Sequence, residues 1–201
     1  MINTVIFDIG NVLTDYAWMD FLRGYGYSDE YCMRLANAIM LSPYWCEFDR
    51  GIWSWEEIVS AFAGMDPDIE EDIRKVIATQ RNLVTRRDYA ITWIKELKER
   101  GYRVLYLSNF SAYCREDCDE ALDFIPYTDG GVFSYECHLI KPDREIYEYI
   151  INRYDLKAEE CVFIDDVQKN LDTAEELGIN TIRFDDYKNV RAKLDVMLKN
   201  G

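Results

Sequence analysis

Four short stretches of this 201-residue chain carry the side chains that chemistry needs. Asp8 follows Val5-Ile6-Phe7 and precedes Ile9-Gly10-Asn11, while Ser108-Asn109 follows Val104-Leu105-Tyr106-Leu107. Asp165-Asp166 follows Val162-Phe163-Ile164, and Lys141 stands ahead of that run, directly before Pro142-Asp143. If the apolar runs are strands lying side by side, three carboxylates, a hydroxyl, an amide and an ammonium converge beyond their carboxyl ends, where open parallel sheets bind ligands. Clustered Asp8, Asp165 and Asp166 repel one another unless a cation sits between them, and all-oxygen ligands suit Mg²⁺. Held by few carboxylates, Mg²⁺ keeps positions open for water and a substrate phosphate. Lys141, Ser108 and Asn109 then surround the remaining phosphoryl oxygens, the electrostatic arrangement that phosphoryl transfer requires. An Asp on the metal and facing phosphorus can act as nucleophile and form an aspartyl-phosphate.

The elements that would position these residues are legible in the hydrophobic pattern. The first three runs are near-continuous in apolar residues, as in strands buried on both faces of a parallel sheet. Thr181-Ile182-Arg183-Phe184 alternates more and reads as a strand nearer an edge. Between these runs Ile91, Ile94 and Leu97 recur at helical spacing with Gly101 as C′ residue, and Ile146, Tyr149 and Ile150 form a second stripe. Leu171, Ala174 and Leu177, closed by Gly178, form a third, and Val190, Leu194, Met197 and Leu198 a last. Helix and strand alternate from about residue 88 onward, which predicts a doubly wound α/β fold with a Rossmann-like parallel sheet. Residues 16–87 differ. Ser54 and Glu57 fit a capping box ahead of Trp55, Ile58, Val59 and Phe62, and Ile69, Ile73, Val76 and Ile77 form another apolar face. This stretch reads as an all-helical subdomain inserted after the first strand, leaving residues 1–15 and 88–201 as the α/β core.

The four stretches, in this order, resemble the motifs of the haloacid dehalogenase (HAD) superfamily. The resemblance rests on Phe7-Asp8-Ile9-Gly10-Asn11-Val12-Leu13-Thr14-Asp15, Leu107-Ser108-Asn109, Lys141-Pro142 and Phe163-Ile164-Asp165-Asp166-Val167-Gln168-Lys169-Asn170. It is nearest to the subgroup of α-D-glucose-1-phosphate phosphatase and the N-terminal phosphatase domain of soluble epoxide hydrolase, in which a helical cap follows the first motif. The resemblance implies a Mg²⁺-dependent phosphatase acting on a small phosphorylated metabolite such as a sugar phosphate, α-D-glucose 1-phosphate being an example. Asp8 would be nucleophile and metal ligand, Gly10 would offer its carbonyl to Mg²⁺, Asp166 would ligate directly and Asp165 partly through water. Ser108 and Asn109 would hold the phosphoryl oxygens, and Lys141 would neutralise charge on Asp8 and the phosphate. One position departs from many phosphatases of the superfamily: a second Asp, two residues after the nucleophile, acts there as general acid and base, and here that place is Gly10. Such help is typically worth about 10²–10⁴-fold in rate; the α-D-glucose-1-phosphate phosphatase subgroup also has Gly at this place, and a good leaving group such as an anomeric oxygen, a bound water or a cap residue could each substitute.

Composition narrows the alternatives. With 23 Lys and Arg against 38 Asp and Glu, the formal charge is −15. That repels phosphate backbones and anionic lipid, so nucleic acid and membrane surfaces are poor partners. Six cysteines without a C-x-x-C pair, and no signal-peptide pattern at Met1, read as reduced thiols in a cytoplasmic protein. Cys114 and Cys118 read as ordinary thiols rather than a zinc site, Asp15 as a turn acid, and His138 as incidental. Tyr44, Trp45, Phe48, Trp53 and Trp55 read as cap core, one or two of them facing substrate with Glu47 or Arg50. Gly10 motivates a second hypothesis, a catalytically weak relative that binds a phosphoryl ligand without turnover. Hydrolytic dehalogenation through Asp8 is a third, disfavoured because it needs no acidic pair for a metal.

Overall fold

The computed structural model describes residues 1–200. In chain order, β1 (Thr4–Phe7) and β2 (Thr14–Tyr16) precede five helices: α1 (Trp18–Arg23), α2 (Asp29–Ala38), α3 (Trp45–Arg50), α4 (Trp55–Met65) and α5 (Glu70–Ile77). Then come β3 (Val84–Arg86), α6 (Ala90–Glu99), β4 (Arg103–Ser108), α7 (Ala112–Asp117), β5 (Gly131–Phe133) and α8 (Ser134–Cys137). The chain ends in α9 (Arg144–Arg153), β6 (Cys161–Asp165), α10 (Gln168–Glu176), β7 (Asn180–Arg183) and α11 (Tyr187–Asn200). No helix among the described residues is long and apolar enough to cross a membrane.

The sheet is parallel throughout, in the order β5-β4-β1-β6-β7. Its two faces divide the side chains of each strand by alternation. Val5, Phe7, Val104, Tyr106, Val162 and Ile164 pack with Trp93, Ile94 and Leu97 of α6 and Val190 and Leu194 of α11. Ile6, Leu105, Leu107 and Phe163 face the other way, onto Ile146, Tyr147 and Ile150 of α9 and Leu171 and Ala174 of α10. Helices on both faces leave β1, β4 and β6 without a wet side, which is why their sequences run apolar without a break. β7 lies at the edge, where its Arg183 is exposed.

Three strands escape the pattern. β2 and β3 pair antiparallel as a separate ribbon, Thr14 opposite Arg86 and Tyr16 opposite Val84, and so bracket the helical segment that sequence alone renders strand-free. β5 joins the main sheet beside β4. At three residues each they are too short for a period of two to show. At β5 a close approach also selects Gly131, since a Cβ there would collide with Tyr106. The capping box at α4 is formed: Ser54 Oγ accepts from Glu57 N, and Glu57 Oε2 accepts from Ser54 N at 2.8 Å. The cysteines are free thiols, four of them buried.

Candidate active site

Register brings the acidic tips together. Phe7 pairs with Ile164 and with Tyr106, so the next residues along the strands, Asp8 and Asp165, emerge side by side with Ser108 beyond β4's last pairing to β1. Asp8 N donates to Ile164 O at 2.8 Å, extending the ladder by one bond before the chain turns away. Asp8, Asp165 and Asp166 each present an oxygen within 4.8 Å of the others. Lys141, 4% exposed, reaches the cluster from the loop before α9, with Nζ 2.8 Å from Asp8 Oδ1 and 2.6 Å from Asp165 Oδ2.

Electrostatics follow from burial. Desolvation pushes the Asp8 carboxyl up to about 7; Lys141 opposes the rise, while Asp165 and Asp166 add to it. Asp166 is raised too, through burial and Asp165, against a hydrogen bond from Asn11. Burial disfavours the Lys141 ammonium, but Asp165 and Asp8 more than offset this and keep it charged. Three carboxylates thus face one ammonium. The deficit is a positive charge, and the available donors are all oxygen, so the cluster fits a hard divalent cation such as Mg²⁺. The hydrogen bonds distribute the work among the acids. Asp165 accepts from Val167 N at 2.8 Å, from Asn170 Nδ2 at 3.0 Å and from Lys141, which occupies both of its oxygens. Asp8 and Asp166 keep more of theirs free, and Gly10 lies beside Asp8, its missing Cβ position 4.0 Å from Asp8 Oδ2.

Asn109 does not extend its amide toward that space. Its Oδ1 accepts from Lys141 N at 2.7 Å and its Nδ2 donates to Lys141 O at 2.9 Å, so both ends clamp the lysine's backbone. The Asn109 side chain thus fixes the Lys141 backbone, and Asn109 also lines the cavity above the sheet. Ser108 is buried at the end of β4, and the N-cap of α7 is Ser111, which accepts from Cys114 N at 3.0 Å. Asp15 pairs with Arg87 at 2.6 Å, away from the cluster.

Three residues of the site were not singled out in the sequence. Asn11, at φ 56°, sends Nδ2 to Asp166 Oδ2 at 2.9 Å; Asn after Gly is the signal for such a left-handed position. Asn170 holds Asp165, five residues ahead of it. Asp49 is the third. Helix α3 lies over the sheet's carboxyl end, and between the two is a cavity of about 110 Å³ lined by Gly10, Asn109, Tyr16, Trp45 and Asp49, among others. Glu47 and Arg50, the charged residues expected to face substrate, instead pair with each other at 3.3 Å, and Arg50 reaches Asp143 at 3.3 Å. Trp45 does line the cavity, Phe48 is buried and Trp53 is exposed. His138 lies outside the cavity: its Nδ1 donates to Arg50 O at 3.0 Å.

A family model described as haloacid dehalogenase-like hydrolase matches residues 2–178. The chain belongs to that family of hydrolases. Among curated relatives, a glyceraldehyde 3-phosphate phosphatase of Methanocaldococcus jannaschii is 28% identical, covering 92% of this chain and 85% of its own. A D-ribitol-5-phosphate phosphatase of Bacteroides thetaiotaomicron is 24% identical over the whole of both chains. In structure, the chain superposes with a TM-score of 0.72 on a HAD family enzyme of B. thetaiotaomicron in complex with magnesium and inorganic phosphate, at 20% identity over 94% of this chain and 99% of that one. The parallel core and the helical segment after β1 are thus the HAD hydrolase fold.

Proposed function

We propose that this hydrolase is a Mg²⁺-dependent phosphatase that removes phosphate from a small phosphorylated metabolite, a sugar phosphate being the leading candidate. The observation that carries the reading is the convergence of Asp8, Asp165, Asp166 and Lys141 at the carboxyl ends of β1 and β6. The two relatives named as phosphatases of glyceraldehyde 3-phosphate and D-ribitol 5-phosphate support it, as does the neighbour holding magnesium and phosphate. Asp8 and Asp166, with the Gly10 carbonyl, would hold Mg²⁺, and Asp165 would stand behind them. When bound, the ion supplies positive charge to the phosphoryl oxygens and to Asp8.

Asp8 Oδ attacks phosphorus, the bond to the leaving-group oxygen breaks, and a phospho-Asp8 forms. Lys141 offsets the charge on Asp8 and on the phosphoryl group in a site where little water screens it. Asn109 fixes where that ammonium stands, and Asn170 and Val167 N fix Asp165. Ser108 offers its hydroxyl to the phosphoryl group. Water then attacks the phospho-Asp8, releasing phosphate and restoring the carboxylate. The segment 16–87 serves as a cap, its α3 closing the pocket in which the leaving group sits.

Phosphate release from sugar phosphates and from p-nitrophenyl phosphate, with Mg²⁺ and with EDTA, tests the proposal. Activity that needs Mg²⁺ and disappears in Asp8→Asn is the expected result; no hydrolysis of either class by the wild type would overturn it. Gly10 favours a second reading, phosphoryl binding without turnover, which predicts that outcome together with retained beryllofluoride binding.

A further inference from the structure

The phosphatase reading leaves one proton without a carrier. The residue two places after Asp8 is Gly10, and the backbone does not require glycine there: its φ lies outside the left-handed region, and an added Cβ would meet only Asp8 Oδ2, at 4.0 Å. Something else must protonate an alkoxide as it leaves.

The cavity between α3 and the core offers one carboxyl group. Asp49 is the sole acid among its lining residues, 7% exposed, and shares the cavity with Gly10, the position that lacks an acid. The charges of Asp8 and Lys141 both act on Asp49, so the cavity acid and the carboxylate cluster share one electrostatic field. The rest of the lining is chiefly apolar, with Trp45, Leu83, Val84, Phe110, Cys114 and Cys118 keeping water away. Tyr16 contributes the one side-chain hydroxyl of the lining, and that oxygen is buried without a protein partner.

The backbone that carries the Asp49 carboxyl is held from behind. Ser134 Oγ donates to the Asp49 carbonyl at 2.6 Å and accepts from Phe110 N at 2.8 Å, tying α3 to the loop after β4. Arg50 and His138 close the same seam, and Gly51, at φ 70°, lets the chain pass within 3.0 Å of Tyr135 where a Cβ would sit. No arginine or lysine salt-bridges Asp49 among the described residues, whereas its neighbours Glu47 and Arg50 are paired. A buried acid kept without a counter-ion costs stability and calls for a reason other than packing. Burial lifts its carboxyl to about 8; Asp8 adds to the rise, while Lys141 and the Ser111 N–H oppose it. Tyr16 and Cys114 are the other ionisable groups facing it. Burial thus favours the protonated form of this carboxyl.

From this geometry we infer that Asp49, delivered by α3, is the general acid and base of the reaction, in place of the missing acid at position 10. As Asp8 bonds to phosphorus and the phosphorus–oxygen ester bond breaks, the electron pair stays on the leaving oxygen. That oxygen takes the Asp49 proton, leaving Asp49 as carboxylate. In the second half, Asp49 takes a proton from the attacking water as the bond from Asp8 to phosphorus breaks, and both acids return to their starting forms.

The experiment compares the wild type with Asp49→Asn on two esters: glycerol phosphate, whose alkoxide needs a proton, and p-nitrophenyl phosphate, whose phenolate does not. In Asp49→Asn, kcat/KM for the alkyl ester falls by about 10²–10³-fold, the usual scale of general acid catalysis, while kcat/KM for the aryl ester is kept. With the aryl ester the variant also shows a burst of nitrophenolate, because phospho-Asp8 accumulates without its base. Asp49→Glu regains part of the alkyl activity. If kcat/KM for both esters falls in parallel, or neither falls, Asp49 is not the proton donor, although the phosphatase reading stands. If the wild type hydrolyses neither ester, that reading fails and takes this inference with it. The amide replaces a neutral carboxyl of the same shape, and an unchanged melting temperature confirms that the comparison is between folded proteins.

Discussion

Metal-free protein should lose stability as pH rises through neutrality, and Asp8 should be a main cause. Its carboxyl stands at about 7 in the fold against an ordinary value of 3.8. A raised acid binds more protons folded than unfolded, so its contribution is least unfavourable at low pH and stability declines as pH climbs toward the folded value. From about pH 5.5 to 7 the decline spans some 1.5 pH units, at about 1.4 kcal/mol per unit, or ~2 kcal/mol from Asp8 alone. For a chain of this size that is roughly 4–8 °C in melting temperature. Asp49, raised to about 8, steepens the slope over the same range. The assay is thermal unfolding in EDTA from about pH 5.5 to 7.5, with wild type and Asp8→Asn side by side. Asp8→Asn carries no charge at this position, so its slope should be shallower by about the Asp8 share, and its melting temperature higher than the wild type's above pH 7. Added Mg²⁺ should lift the wild type most at the alkaline end, because a cation bound to the native state relieves the repulsion there. A melting temperature that holds or rises with pH in EDTA, or equal slopes in the two proteins, would refute this account of the buried cluster.

Further tests follow from individual contacts. Asn109→Ala removes two hydrogen bonds that hold the Lys141 backbone at 2.7 and 2.9 Å; unfolding in urea should show a loss of about 1–3 kcal/mol, and kcat should fall more than KM rises. Ser54→Ala removes the N-cap of α4. It should cost about 1 kcal/mol with turnover little changed in the same phosphate-release assay.

The pattern of residues along the chain decided the core before any coordinates. Strands buried on both faces cannot alternate, so β1, β4 and β6 announce themselves as unbroken apolar runs, and a parallel sheet must present its chemistry at their ends. That rule alone selects Asp8, Ser108, Asp165 and Asp166. Lys141 was legible only through its place among the other motifs. What the sequence could not convey is anything fixed by two segments meeting. That the Asn109 amide engages the Lys141 backbone is one such feature. Asp49, between Phe48 and Arg50 on a six-residue helix, reads as one more surface acid in a chain with many. It becomes a buried group in the cavity shared with Gly10 because α3 docks on Ser134 and the loop after β4. Local periodicity records which face of an element is apolar; burial, desolvation and the pairing of charges arise only where distant elements close on each other. Composition and spacing thus settled the sheet and its acidic ends, while tertiary contact decided which acids are buried and which partners hold them.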